Sequence, residues 1–152
     1  MTDVSIQQRF FPELTCFGCG PANAKGLRIS SFVAEDGDGT VASFVPWPEH
    51  DNGLGYLNGG IIATLLDCHS ATPVLVESER LGLMQPRDAL AYVTAGIDVR
   101  YLRPTPLEGP LEVRARLTEV VDGAMHVGAE LWGEGKLRAT GASVWKPWRP
   151  RT

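Results

Sequence analysis

Several things this sequence lacks set the first bounds on its function. Lys and Arg number 14 against 18 Asp and Glu, a net charge of -4. The strong basic excess of a nucleic-acid binder is therefore missing. The cleanest apolar run, Ile61 to Leu66, falls far short of the roughly 18 residues a membrane span requires. The opening Met1-Thr2-Asp3-Val4-Ser5 has neither the basic nor the apolar part of a secretion signal. Cysteine is scarce: Cys16, Cys19 and Cys68 are an odd count and give no secreted disulfide framework. Cys16 and Cys19 form a Cys-x-x-Cys pair, but a structural zinc site needs four ligands, commonly from a second such pair. No second pair exists, His50 is distant, and Cys68 and His69 lie in an apolar segment. The expectation is a soluble cytoplasmic protein with no metal and no cofactor, whose cysteines are structural or neutral.

The chain has 152 residues, 43% hydrophobic and 21% charged. A chain of this length buries roughly 70% of its unfolded surface in one domain, and this composition argues against disorder, collagen or coiled coil. Pro12, Gly18, Gly20, Pro21 and Gly26 interrupt residues 1–26, which read as an irregular segment. One domain then covers residues 27–146, and 147–152 form a basic tail. Strands are predicted over Leu27 to Val33 and Thr40 to Val45, joined by the turn Asp36-Gly37-Asp38-Gly39. A loop rich in Pro and Gly fills residues 46–60, and a helix runs from about Gly59 to about Arg80 with a bend at Pro73. Four strands follow, near Ala89 to Leu102, Leu111 to Val121, Met125 to Trp132 and Lys136 to Trp145. Asp122-Gly123 and Gly133-Glu134-Gly135 punctuate the last three as hairpin turns.

Short connections between neighbours favour an antiparallel sheet of about six strands. In Ile61-Ile62-Ala63-Thr64-Leu65-Leu66 apolar side chains cover every helix face, so that helix wants burial all round. A curved sheet wrapped around one long central helix meets that demand. This is the hotdog arrangement, an α+β fold.

Asp67 interrupts the apolar helix. An unpaired buried carboxylate costs several kcal/mol, so Asp67 is either a functional group or the solvated or Arg-paired edge of the buried face. Asn58-Gly59-Gly60 precedes the run. Bare backbone at a helix start permits close approach, and its first amides have no intrahelical acceptors. Those amides can bind an oxygen gaining negative charge, although the glycines could also serve close packing alone. Gly60 and Asp67 are seven residues apart, about 10 Å along a helix. Both groups should reach within about 3 Å of one carbonyl or its attacking water, which one helix cannot arrange. Two antiparallel copies can, so catalysis by these residues implies at least a homodimer, or a dimer of dimers, with sites at the subunit interface.

The stretch Asn58-Gly59-Gly60-Ile61-Ile62-Ala63-Thr64-Leu65-Leu66-Asp67 resembles the central-helix motif of the PaaI-type branch of the 4-hydroxybenzoyl-CoA thioesterase superfamily. That motif reads His-Gly-Gly, six residues, then Asp. The segment Cys16-Phe17-Gly18-Cys19-Gly20-Pro21-Ala22-Asn23-Ala24-Lys25-Gly26-Leu27 is similar to an N-terminal knuckle of many members. Thr94 to Pro104, ending Arg100-Tyr101-Leu102-Arg103-Pro104, is similar to the strand after the helix. The resemblance spans roughly residues 16–145.

The resemblance implies an acyl-CoA thioesterase needing no cofactor. Asp67 would activate water or attack the thioester carbonyl itself, and the Gly60 amide of the partner subunit would polarise that carbonyl. Asn52 would line the site and Thr94 would orient the water or the carboxylate. By chemistry alone Asn52 is equally a turn former and Thr94 a strand residue. Gly59 and Asn58 fall on substrate-binding positions, but Asn58 stands where the family has His and cannot titrate near neutral pH. A non-catalytic acyl-CoA binder is the alternative that this departure favours. Coenzyme A carries phosphates, and Arg103 and Arg149 are candidate contacts unless the basic C-terminal run is only a solvated face. Trp145 and Trp148 read as packing residues, and Leu81, Leu83, Met84 and Tyr92 as acyl-tunnel lining or core. Hydration chemistry is weak because Asp67 and His69, two apart on a helix, point in different directions. A Gly-x-Ser-x-Gly elbow for serine hydrolysis is absent.

Overall fold

The computed structural model describes residues 4–149 and 151. Met1, Thr2 and Asp3 of the expected N-terminal segment, and Pro150 and Thr152 of the basic tail, lie outside them. The elements run α1 (Ile6–Phe10), β1 (Ser31–Val33), β2 (Thr40–Phe44), α2 (Gly59–Arg80), β3 (Tyr92–Tyr101), β4 (Leu111–Val121), β5 (Ala124–Gly133) and β6 (Lys136–Pro147). The strands form one antiparallel sheet in the order β1-β2-β4-β5-β6-β3. It curves around α2, which is the hotdog fold. Asp122-Gly123 and Glu134-Gly135 close the β4-β5 and β5-β6 hairpins with positive φ at both residues of each pair, the geometry of tight primed turns.

Asn58 caps α2: its side-chain oxygen accepts from the amides of Gly60 at 2.7 Å and Ile61 at 3.3 Å. Pro73 sits inside the helix and removes the amide that would bond the carbonyl of His69. The Thr72 hydroxyl donates to that carbonyl instead, at 2.7 Å, so the helix continues to Arg80. Leu65, Leu66 and Val74 pack against Val113, Val127, Leu131 and Ala139 of the sheet. Alternation along β4 keeps Leu111, Val113 and Ala115 inside and Arg114 and Arg116 outside. By length and composition α2 could cross a bilayer, contrary to the reading of the short apolar run. Half of that stretch is, however, buried inside this fold.

His69 explains how so apolar a core holds polar groups. Its Nε2 donates to the Thr40 carbonyl at 3.1 Å, and its Nδ1 accepts from the Ser31 hydroxyl at 2.8 Å. Ser31 in turn accepts from Gln7 Nε2 at 2.9 Å. The chain of bonds joins α1, β1, α2 and β2, and burial lowers the imidazole to a pKa of about 4.

Two local expectations need correction. The strand expected from Leu27 shortens to Ser31–Val33, because Leu27 and Ile29 donate to the carbonyls of Phe17 and Gly18 at 2.8 and 3.1 Å. Residues 27–29 thus pair with the Cys-x-x-Cys knuckle, not with a neighbouring strand. The N-terminal segment also contains α1, started by a Ser5–Gln8 capping box. Ile6 and Phe10 pack on Leu75 and Met84, and Arg9 forms a two-pronged ion pair with Glu79 at 2.7 and 2.8 Å.

Candidate active site

Asp67 lies two turns into α2, half-buried, on the side of the helix facing the start of β3. The Thr94 hydroxyl donates to Asp67 Oδ1 at 2.7 Å. A register shift in β3 between Thr94 and Gly96 breaks strict alternation beside this contact. Burial pushes the Asp67 carboxyl above the ordinary aspartate value, the Thr94 bond opposes the rise, and the charge of Cys16 adds to it. Among the described residues no group bonds the second carboxylate oxygen. The arrangement is an oriented carboxyl group of raised proton affinity, with one oxygen unbonded among the described residues.

Seven residues earlier, Gly60 is exposed. A Cβ there would meet only Asn58 Oδ1, at 3.0 Å, and one on Gly59 would make ordinary contact with the Tyr101 ring. Packing within the chain therefore does not require glycine at 59, whereas at 60 the capping oxygen of Asn58 would have to give by a few tenths of an ångström. The Gly60 amide already donates to Asn58, whereas the Gly59 amide has no acceptor among the described residues. The Tyr101 hydroxyl donates to the Gly59 carbonyl at 2.8 Å and ties the helix start to the far end of β3.

The fold joins Asp67 to Thr94 and Asn58 to Gly60, and leaves the other candidates apart. Asn52 is exposed, and its side-chain oxygen accepts from Leu54 at 2.8 Å and Tyr56 at 3.3 Å. That is the bond pattern of a turn former. Arg103 follows β3, while Arg149 follows β6 next to the start of β3; the strand between them is about 30 Å long. Both are exposed, and within one chain they cannot share a phosphate. His69 turns into the core and cannot assist Asp67. Met84 and Tyr92 are core residues, and Leu81 and Leu83 are exposed. Trp145 is buried and donates to Ser143 at 2.9 Å; Trp148, expected to pack, is exposed. A concavity of about 950 Å³ lies on the opposite sheet face, lined by Asp98, Arg100, Glu112, Arg114 and Glu130. It touches none of the candidate residues.

Sequence reasoning missed a grouping on the other flank of this turn. The sulfurs of Cys16, Cys19 and Cys68 lie within 4.8 Å of one another. Bonds from the Cys19 and Cys68 thiols lower Cys16 to about 2, whereas Cys19 is held up at about 12 and Cys68 is raised too. A signal was present in Cys68 itself, a thiol following Asp67, but its distance along the chain hid the link.

A family model described as the thioesterase superfamily matches residues 54–140, more than half of the chain. No curated protein matches the sequence. Among solved structures, a thioesterase superfamily protein from Shewanella loihica PV-4 is 31% identical over 80% of this chain and 91% of its own, with a TM-score of 0.60. A phenylacetic acid degradation-related protein from Ralstonia eutropha JMP134 is 26% identical over 82% of this chain and 89% of its own, TM-score 0.66. The BH2602 protein from Bacillus halodurans, solved with CoA, is 25% identical over 86% of this chain and 80% of its own, TM-score 0.66. The chain spans 62% of the length of another superfamily structure, to which it is 21% identical with a TM-score of 0.66.

Proposed function

Because the chain belongs to the thioesterase superfamily, we propose that it hydrolyses an acyl-CoA thioester to a carboxylic acid and coenzyme A. The observation that carries this reading is the half-buried Asp67, oriented by Thr94 at 2.7 Å and free at its second oxygen. Asp67 takes a proton from water, and the resulting hydroxide attacks the thioester carbonyl carbon. The oxyanion of the tetrahedral intermediate sits at the glycine amides that open α2 of a second protomer. Collapse breaks the carbon–sulfur bond, and the leaving thiolate takes the proton held by Asp67. No step calls for a cofactor. The coenzyme A in the Bacillus halodurans structure supports it as the thiol carrier, and the Ralstonia relative brings phenylacetyl-CoA into the substrate panel.

The second protomer is part of the proposal. β3 is an edge strand of ten residues, paired only with β6 among the described residues, and it exposes Ile97 and Tyr101. A long apolar edge of this kind favours pairing with another chain. Antiparallel pairing of two β3 strands sets the Tyr101 end of one, with its Gly59-Gly60 amides, beside the Thr94 end of the other, with Asp67. It also brings one protomer's Arg103 toward its partner's Arg149, so that both can face coenzyme A phosphates. Asn52 would act through its loop and not through its side-chain oxygen.

A second reading has one observation in its favour. Asn58 already accepts from the Gly60 amide at 2.7 Å, so a carbonyl must share or displace that bond. A protein in which it cannot would hold acyl-CoA without cleaving it. Thiol release from a panel of acyl-CoAs, wild type beside Asp67→Asn, separates the two. Turnover lost in the variant supports hydrolysis, and tight binding without release in the wild type supports the binder.

A further inference from the structure

The expectation that Cys16 and Cys19 hold no metal rested on the want of a neighbouring pair, and the fold supplies a third sulfur from α2. Cys16 Sγ and Cys68 Sγ are 3.7 Å apart, and all three sulfurs lie within 4.8 Å of one another. Zinc–thiolate bonds of about 2.3 Å in a tetrahedron set sulfur–sulfur edges of about 3.8 Å. The observed spacing needs little adjustment to accept such an ion.

The surrounding backbone is shaped for this approach. The Gly20 amide donates to the Cys16 carbonyl at 2.8 Å and closes the knuckle. A Cβ on Gly20 would lie 2.4 Å from the Leu14 carbonyl oxygen, so no larger residue fits the turn. A Cβ on Gly18 would lie 2.3 Å from Cys68 Sγ and 2.8 Å from Thr64, so only glycine lets the knuckle settle onto α2. Leu27 and Ile29 clamp the knuckle from behind through the Phe17 and Gly18 carbonyls. Asn23 Nδ2 holds the Thr15 carbonyl at 3.0 Å. The sulfurs are thus held by a loop anchored on both sides and by a buried helix, and little has to be ordered when an ion binds.

We propose that Cys16, Cys19 and Cys68 form a binding site for a thiophilic d10 cation, zinc foremost, with a solvent molecule as its fourth ligand. The ion is held by three thiolate sulfurs, any proton a thiol still carries passes to solvent, and no electron is transferred. It ties residues 16–20 to the helical turn that carries Asp67. Its role is structural, and the proposal stands whether or not the chain hydrolyses a thioester.

The test uses the full chain, purified under reductant and stripped of metal, then titrated with cobalt(II). About one equivalent should bind, with an intense sulfur-to-cobalt charge-transfer band and the visible bands of a tetrahedral centre. Zinc should displace it. Cys68→Ser should abolish both signals; because Cys68 is buried, the half-buried Cys16→Ser is the companion variant, its fold followed by circular dichroism. Absence of the charge-transfer band in the reduced wild type would overturn the proposal, as would unchanged binding by folded Cys16→Ser. A Cys16–Cys68 disulfide formed by a chain that takes up no cobalt would overturn it as well, replacing the ion with a redox pair.

Discussion

Replacing Thr94 by valine deletes one hydroxyl and keeps the branched shape of the side chain. In the wild type that hydroxyl donates to Asp67 Oδ1 at 2.7 Å and favours the ionised carboxylate, against burial and the charge of Cys16, which favour the acid. A hydrogen bond to a charged group contributes about 1.5–3 kcal/mol, which is roughly ten- to a hundredfold in the ionisation equilibrium. The sign follows directly. Asp67 already titrates above the ordinary aspartate value, and without the hydroxyl it titrates higher still. Since the base must be ionised to act, the acid limb of kcat/KM should move to higher pH in Thr94→Val. The loss should approach that factor on the acid side and shrink as the pH rises. The assay is continuous thiol release with an Ellman reagent, run across pH on whichever acyl-CoA the wild type hydrolyses fastest. A side chain that only packed would lower activity evenly at every pH. An acid limb left in place, or moved to lower pH, would refute the claim that Thr94 sets the charge of Asp67.

His69 is neutral in the fold with a pKa of about 4, against an ordinary value of 6.5, and the unfolded chain therefore binds more protons between these values. Its contribution, roughly 3 kcal/mol, is fully present above pH 6.5 and is lost as the pH falls toward 4. Urea unfolding should show that slope in the wild type and a flatter one in His69→Gln. Asn58→Ala removes the cap on Gly60 and Ile61 and should cost about 1 kcal/mol, seen as a melting temperature lower by roughly 2–5 °C; an unchanged melting point would contradict the cap. Ile97→Lys places a charge on the exposed edge of β3. Sedimentation should find the wild type at no less than twice the 16.5 kDa chain mass and the variant as a monomer with little turnover. A monomeric, fully active wild type would defeat the two-protomer site.

Hairpins and the central helix were legible because their signals are local. Gly123 and Gly135 permit the positive φ that tight hairpin turns use and that both pairs adopt, and Asn58 marks a helix start without help from the rest of the chain. Asp67 was legible because a carboxylate in an apolar helix conflicts with burial. What escaped depends on contacts between distant residues. Leu27 and Ile29 look like strand but pair with a knuckle some ten residues upstream. Cys68 joins Cys16 across 52 positions, too far for any spacing rule. Asn52 could be read as lining the site or as a turn former, and spacing alone did not show that Leu54 and Tyr56 take its oxygen. Likewise, Arg103 and Arg149, named for the way Arg grips phosphate, stand at opposite ends of one strand.

The central claim is that Asp67 is the base of a thioesterase. Its most direct test is thiol release by the wild type and by Asp67→Asn, over acetyl-, hexanoyl-, palmitoyl-, benzoyl- and phenylacetyl-CoA. Asparagine keeps an oxygen for the Thr94 hydroxyl and removes a charge that burial disfavours, so the variant should fold and assemble as the wild type does. The account predicts release from at least one of these thioesters and a fall of about 10²–10⁴ in the variant. Equal turnover by a folded Asp67→Asn would contradict it.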